Sequence, residues 1–195
     1  MKYSIELACE SSKAWLDCVM KDFPSFLQDH ADCERKASAM AMSFVAKYPD
    51  RYEIIPELVE TAIEELEHFQ QVYNLMEKKG IGLAKDMQQD IYIKQLMALT
   101  HGGTPDIRFR DRLLIASIIE CRGCERFKLV SEVLEDPELS RFYKVLWASE
   151  AKHGNIFVKM ALKYFDESAV YKQLEALILK EAEILNGLEI RSALH

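Results

Sequence analysis

The feature that most constrains this chain is a short motif, Glu-x-x-His, which occurs twice. It appears first as Glu65 and His68 and again as Glu150 and His153. Residues three apart on an α-helix lie on nearly the same face, so a carboxylate and an imidazole at this spacing can reach one metal ion. Each copy therefore predicts a helical turn that offers one carboxylate and one imidazole to a metal.

A further glutamate precedes each copy at nearly the same distance. Glu34 lies 31 residues before Glu65, and Glu120 lies 30 residues before Glu150. Two helices with one Glu each and two with Glu-x-x-His supply the ligand set of ferritin-like di-iron and di-manganese carboxylate bundles. The sequence therefore predicts an all-α, ferritin-like four-helix bundle with additional N-terminal and C-terminal helices. We expect a single domain over residues 1–195.

Apolar residues at three-to-four spacing place the helices along the chain. Glu34 and Glu120 interrupt otherwise apolar stripes, where an unpaired carboxylate would be costly, and this again favours a metal. Prolines fit the starts of several helices, and Asp106 is a candidate cap for the helix that follows Pro105. The predicted helices span 4–20, 24–47, 55–79, 91–99, 106–135, 137–165 and 168–190.

Several other residues near the motifs have both a plain and a functional interpretation. His30 shares a helix face with Glu34, and we expect it to lie in the core or behind a ligand. Glu64 is expected to be solvated, with an outer role towards a ligand histidine as the alternative. Cys121 and Cys124 resemble a zinc or redox pair but lie in mid-helix without a second pair, which favours packing. Four phenylalanines could line a substrate pocket or belong to the core: Phe44, Phe69, Phe127 and Phe157.

Composition and charge narrow the class of protein. No apolar run is long enough to span a membrane, and the first residues lack the apolar core of a signal peptide. Five cysteines, an odd number, suit a reducing compartment, so we expect a cytoplasmic protein without a membrane partner.

One basic stretch stands out in a chain with a net charge of −7. Because the whole chain is acidic, any anionic partner must bind a local basic patch. The stretch is a candidate for that surface, with a solvated, ion-paired helix face as the alternative. Its first part is Arg108, Arg110 and Arg112, and it continues with Arg122, Arg126 and Lys128.

The predicted ligands also indicate a chemistry. Carboxylates with two imidazoles suit a pair of iron or manganese ions better than zinc in a thiolate cage. A reduced di-iron centre can pass two electrons to O2 and so attack a C–H bond, while the protein supplies the pocket and the route for electrons. Two other classes stay open: a ferritin-like protein that handles iron or peroxide, and a di-iron hydroxylase of another small molecule.

Four stretches around the predicted ligands closely resemble the MiaE-type tRNA hydroxylases, in order and at matching spacing. The resemblance covers about residues 12 to 165. The stretches are DHADCERKA at 29–37, EELEHF at 64–69, IECRGCERF at 119–127 and SEAKH at 149–153.

The resemblance implies an O2-dependent, non-haem di-iron monooxygenase. The enzyme would hydroxylate the isopentenyl group of 2-methylthio-isopentenyladenosine next to the anticodon of tRNA. Its cofactor would be two Fe ions, with O2 as co-substrate and an external electron donor such as a ferredoxin and reductase system. The match implies these metal ligands: Glu34, Glu65, His68, Glu120, Glu150 and His153.

Overall fold

A computed structural model describes residues 5–86 and 89–195, and in these residues the chain is helical without β-strands. The prediction of an all-α chain is therefore confirmed. The helices are α1 (Lys13–Lys21), α2 (Phe23–Lys47), α3 (Ile55–Lys78), α4 (Ile91–Ala98), α5 (Pro105–Val133), α6 (Pro137–Glu150), α7 (His153–Leu162) and α8 (Glu167–Gly187), with a short 3-10 helix at Tyr52–Ile54.

The described residues form two compact units. The α2–α3 unit comprises residues 17–86 and 191–194, and the α5–α8 unit comprises residues 5–16, 89–190 and 195. In the first unit, α2 packs along α3. In the second, α5 packs against α6, α7 and α8, and α4 packs against α5 and α8. None of the helices in the described parts of the chain is both long enough and apolar enough to cross a bilayer.

The helices begin where the sequence provides caps. The side chains of Asp22, Asp136 and Asp166 accept hydrogen bonds from the first-turn amides of α2, α6 and α8. The cap of α5 is Thr104, whose Oγ accepts from the Ile107 amide at 3.3 Å, and Asp106, the predicted cap, lies in the first turn instead. Proline in the first turn of α2, α5 and α6 removes an amide that would have no partner within the helix.

The N-terminal helix is shorter than the predicted span of 4–20, of which residue 4 lies outside the described residues. It begins at Lys13, because the Ser12 Oγ accepts from the Trp15 amide and caps it. Ser11 donates through its amide and hydroxyl to the Glu125 carboxylate, both at 2.8 Å. These long-range bonds tie the non-helical N-terminal segment to α5.

The second half of the basic stretch is not a surface. Arg122 and Arg126 are buried, and only Lys128 of the three is exposed. Arg122 donates to both oxygens of the buried Glu181 on α8, at 2.8 and 3.0 Å, and to the Cys9 carbonyl at 2.9 Å. The prediction that these two arginines belong to a binding surface is wrong, because each faces residues of its own unit rather than solvent.

Candidate metal centre

The α2–α3 unit brings three of the predicted ligands into its buried interior. Glu34 on α2 is 5% exposed, and Glu65 and His68 on α3 are 1% and 5% exposed. The two helices approach closely here, and the Ser38 hydroxyl donates to the Ala62 carbonyl at 2.8 Å. The carboxylates therefore lie on the faces through which α2 and α3 pack, as their apolar stripes predict.

His30 lies directly behind Glu34. It is fully buried, and its Nε2 lies 2.6 Å from Glu34 Oε1, one helical turn away. Burial, helped by His68, lowers the pKa of His30 to about 3, so the ring is neutral and its Nε2–H donates to the carboxylate. His30 thus orients Glu34 from within the core.

The first Glu-x-x-His pair is a contact within one turn of α3. Glu65 Oε2 lies 3.6 Å from His68 Nδ1. Glu67 on the same turn is exposed and Glu64 is half-buried, so Glu65 is the buried one of these three glutamates. The three-residue spacing has therefore placed the carboxylate and the imidazole together, as predicted.

The second Glu-x-x-His pair lies at the junction of α6 and α7, which the sequence predicted to be one helix. Glu150 ends α6 and His153 begins α7, and Glu150 Oε2 lies 2.7 Å from His153 Nδ1. The prediction of one helix over 137–165 is wrong here. The Lys152 and Asn155 amides bond to carbonyls three residues back, at 3.4 and 3.3 Å, which tightens the turn.

Glu120 on α5 is the third predicted ligand of the α5–α8 unit. It is half-buried, whereas the other five predicted ligands are buried. Its carboxylate and that of Glu150 both act on the Cys124 thiol. Burial first, and then these two carboxylates, raise the pKa of Cys124 to about 12. Glu120 and Glu150 therefore share one negative environment around Cys124.

The same environment settles the chemistry of the cysteine pair. The pKa of Cys121 is also raised to about 12, mainly by burial, so both thiols are protonated at neutral pH. Cys124 Sγ lies 3.7 Å from the Trp147 carbonyl on α6. A metal or redox site needs the thiolate form, so these raised pKa values favour a packing role for the pair.

Gly154 allows α7 to approach α5 closely beside the second pair. A Cβ built at this position would lie 2.5 Å from Cys121 Sγ. Sequence reasoning missed this residue, because a glycine in a helical stretch gives no sign of the side chain it faces. The contact fixes α7, and with it His153, against the helix that carries Glu120.

Three of the four candidate phenylalanines lie in the core. Phe44, Phe127 and Phe157 are buried, and the Phe127 ring packs 5.6 Å from that of Tyr143. A cavity of about 290 Å³ lies elsewhere in the α5–α8 unit, between residues 5–6, α7 and α8. Its walls include Val158, Leu174 and Ile178, and none of the four phenylalanines named above.

The donor groups of both units fit a hard or borderline metal ion. Each unit holds a Glu-x-x-His pair, buried and able to offer ligand atoms to a metal, and each holds a further glutamate on a neighbouring helix. Buried carboxylates are expensive unless a positive charge accompanies them. Carboxylate oxygens and imidazole nitrogens without thiolates suit iron or manganese. The residues present therefore fit the metal that the spacing predicts.

Comparison with known proteins gives one consistent result. The profile of the family described as "tRNA-(MS[2]IO[6]A)-hydroxylase (MiaE)" matches residues 2–195. The tRNA 2-(methylsulfanyl)-N(6)-isopentenyladenosine(37) hydroxylase of Pseudomonas putida is 34% identical over 93% of this chain and 87% of its own. The hydroxylase of the same name from Salmonella typhimurium is 26% identical over 80% of this chain and 74% of its own.

A solved structure is similar along almost the whole chain. It is described as "Protein 43 with aldehyde deformylating oxygenase activity from Synechococcus", with 32% sequence identity and a TM-score of 0.91 over 98% of this chain and 96% of that one. The likeness confirms the predicted ferritin-like fold. Together, the match to the family profile and the relative at 34% identity show that this chain belongs to the MiaE family of tRNA hydroxylases.

Proposed function

We propose that this protein is an O2-dependent, non-haem di-iron monooxygenase that hydroxylates the isopentenyl group of 2-methylthio-isopentenyladenosine next to the anticodon of tRNA. Family membership supports the substrate, and the repeated buried Glu-x-x-His pair supports the chemistry. That repeat is the observation that carries the proposal, because two Glu-x-x-His pairs with a further glutamate each are the ligand pattern of di-iron and di-manganese carboxylate bundles. The substrate also accords with the predicted cytoplasmic location.

The reaction sets what the protein must provide. One C–H bond is replaced by C–OH, and the balance is R–H + O2 + 2 e⁻ + 2 H⁺ → R–OH + H2O. Two bound iron ions would supply the activation of O2, which amino-acid side chains cannot perform. The side chains must hold the metal and keep bulk water from it. An external donor, such as the ferredoxin and reductase system that we expect, must supply the two electrons.

We assign the metal to Glu34, Glu65 and His68 of one unit and to Glu120, Glu150 and His153 of the other. The single domain over residues 1–195 stays a prediction. His30 supports Glu34 through a 2.6 Å contact, and such partners behind a ligand commonly change metal affinity by about 10- to 100-fold.

The decisive experiment is direct. Iron-loaded, reduced protein is given ¹⁸O2 and tRNA from a strain that lacks the hydroxylase, and the digested nucleosides are analysed by mass spectrometry. We expect a hydroxylated isopentenyl nucleoside that carries one ¹⁸O. The control is tRNA without the isopentenyl group. Rapid O2 or peroxide consumption with no labelled nucleoside would instead favour iron or peroxide handling, or another small substrate.

The tRNA surface is a further expectation, which we test against a second basic face. Arg108, Arg110 and Arg112 are half-buried, and Arg110 pairs with Asp111 at 2.8 Å. On α6, Arg141 and Lys144 are exposed, and Lys152 is exposed just beyond its end. Both sets belong to the α5–α8 unit, so they can be compared directly.

Changing Arg108, Arg110 and Arg112 to Ala together should weaken tRNA binding and flatten its salt dependence, because each lost phosphate contact lowers the salt slope by about one unit. Filter binding at several salt concentrations measures both. The matched control is the triple Ala variant of the face formed by Arg141, Lys144 and Lys152. If only that control variant loses tRNA binding, the tRNA surface lies on α6 instead.

A further inference from the structure

The outer face of α3 carries apolar side chains in solvent. Val59, Ile63 and Leu66 are 36%, 52% and 51% exposed. Their spacing of four and three residues places them in one stripe along the helix, on a different face from the buried Glu65 and His68. Single exposed apolar residues are ordinary, but a contiguous stripe of them commonly marks a contact surface.

An acidic border accompanies this stripe. Glu60 and Glu67 lie beside it on α3, and Glu53 lies just before the helix, all three exposed. From residue 55 to residue 77 the chain has no lysine or arginine. An apolar strip bordered by carboxylates complements a partner that has an apolar centre within a basic rim.

The position of the stripe suggests what such a partner does. Leu66 lies between Glu65 and His68 in sequence but on another face of the same turn. The outer face of α3 is therefore separated from the proposed ligands by about one helix diameter, roughly 10 Å. Electrons tunnel efficiently over short distances only. A redox protein docked on α3 would bring its cofactor close to the proposed site, and transient redox interfaces are small enough for one helix face to suffice.

We propose that the acidic and apolar outer face of α3, centred on Ile63 and Leu66, docks the external electron donor, and that this donor is a redox protein whose cofactor edge is ringed by lysine and arginine rather than an acidic ferredoxin of the kind first expected. The proposal rests on the proposed function, which requires two electrons per turnover. The donor is oxidised by one electron in each of two encounters, and the protein accepts both.

Two other occupants fit this face less well. The phosphates of tRNA would be repelled by Glu53, Glu60 and Glu67. A second copy of the chain, related by a two-fold axis, would place the same carboxylates against one another. Both remain outcomes that the experiment can distinguish.

The test uses cytochrome c as the probe, because lysines ring its exposed haem edge. We would measure its binding to the purified protein by calorimetry. Separately, we would measure the rate at which reduced, iron-loaded protein passes one electron to each ferric haem. An acidic plant-type ferredoxin serves as the probe of opposite charge, and it should bind weakly.

The variants separate charge from apolar contact. The double variants are Glu60→Lys with Glu67→Lys, and Ile63→Gln with Leu66→Gln. The matched control on α8 is Glu175→Lys with Leu179→Gln, since both residues are exposed there. We expect the α3 variants to lower affinity and electron-transfer rate by about 10-fold or more at low salt. For the charge variant, this difference should shrink at high salt.

Several results would overturn the proposal. They are unchanged binding and transfer in both α3 variants, an equal loss in the α8 control, or equal docking of the acidic ferredoxin. If wild type is a dimer that the Ile63 and Leu66 variant dissociates, the stripe is a self-association surface. If the lysine variant only binds tRNA more tightly, without loss of cytochrome c binding, the acidic border acts on tRNA and not on a donor.

Chemically reduced turnover distinguishes this proposal from the proposed function. With dithionite in place of a protein donor, the α3 variants should hydroxylate tRNA as wild type does. If wild type itself makes no product, the proposed function fails, while cytochrome c binding still decides the docking face.

Discussion

Replacing His68 or His153 by Ala is expected to remove metal from the corresponding half of the site and to lower hydroxylation by more than about 100-fold, the upper range for residues that only support a ligand. Both imidazoles are buried beside a carboxylate. The methyl group of alanine cannot replace the imidazole nitrogen that would bind the metal beside each carboxylate. Iron analysis per chain and single-turnover assays measure the two effects.

The matched control is His101→Ala, because His101 is an exposed histidine in the loop before α5. It should keep both iron content and activity. Circular dichroism of all three variants verifies that the helices remain. Full iron content with wild-type activity in both the His68 and the His153 variant would show that the ligand assignment is wrong.

Replacing either member of the buried Arg122–Glu181 pair should destabilise the fold by about 3–5 kcal/mol, because the other charge is left buried without its main partner. Both side chains are 0% exposed. Burial alone would lower the pKa of Arg122, but the hydrogen bonds and charge of Glu181 raise it above its ordinary value. The guanidinium therefore stays charged throughout the working pH range.

The measurement is thermal or urea unfolding of Arg122→Met, Glu181→Met and the double variant. The double variant should recover much of the loss, since apolar residues of similar size often replace a buried ion pair at little cost. An exposed pair on the same helix, Lys180 and Glu183, is the control, and its removal should have little effect. Equal losses in the single and double variants would contradict the pairing.

Tyr92 extends this buried network and shows why removal of Glu181 is the more severe change. Its hydroxyl donates to Glu181 at 2.9 Å, and burial together with that carboxylate raises the Tyr92 pKa well above its ordinary value. Glu181 thus connects α4, α5 and α8 through one carboxylate. Removing it breaks bonds to two helices, while removing Arg122 breaks bonds to α8 and the N-terminal segment.

Local rules explain how much of the helical structure the sequence could predict. Apolar spacing and proline predicted α2, α3, α4, α5 and α8 to within about three residues at each end. The failures lie where long-range contacts decide. The segment before Lys13 is not helical, and Ser11 in it bonds to Glu125. The break after Glu150 occurs where α7 meets Cys121 on α5 through Gly154.

The sequence by itself determined the all-α class and the two Glu-x-x-His turns, because three-residue spacing is a property of the helix and needs no distant partner. It also contained the four stretches that resemble the MiaE family. Only the tertiary structure decided which charges are buried. Arg122 and Arg108 belong to one basic stretch, yet the first is enclosed by Glu181 and Cys9, and the second lies at the half-exposed start of α5. The burial of Arg122 depends on residues more than fifty positions away in the sequence, so local spacing cannot predict it.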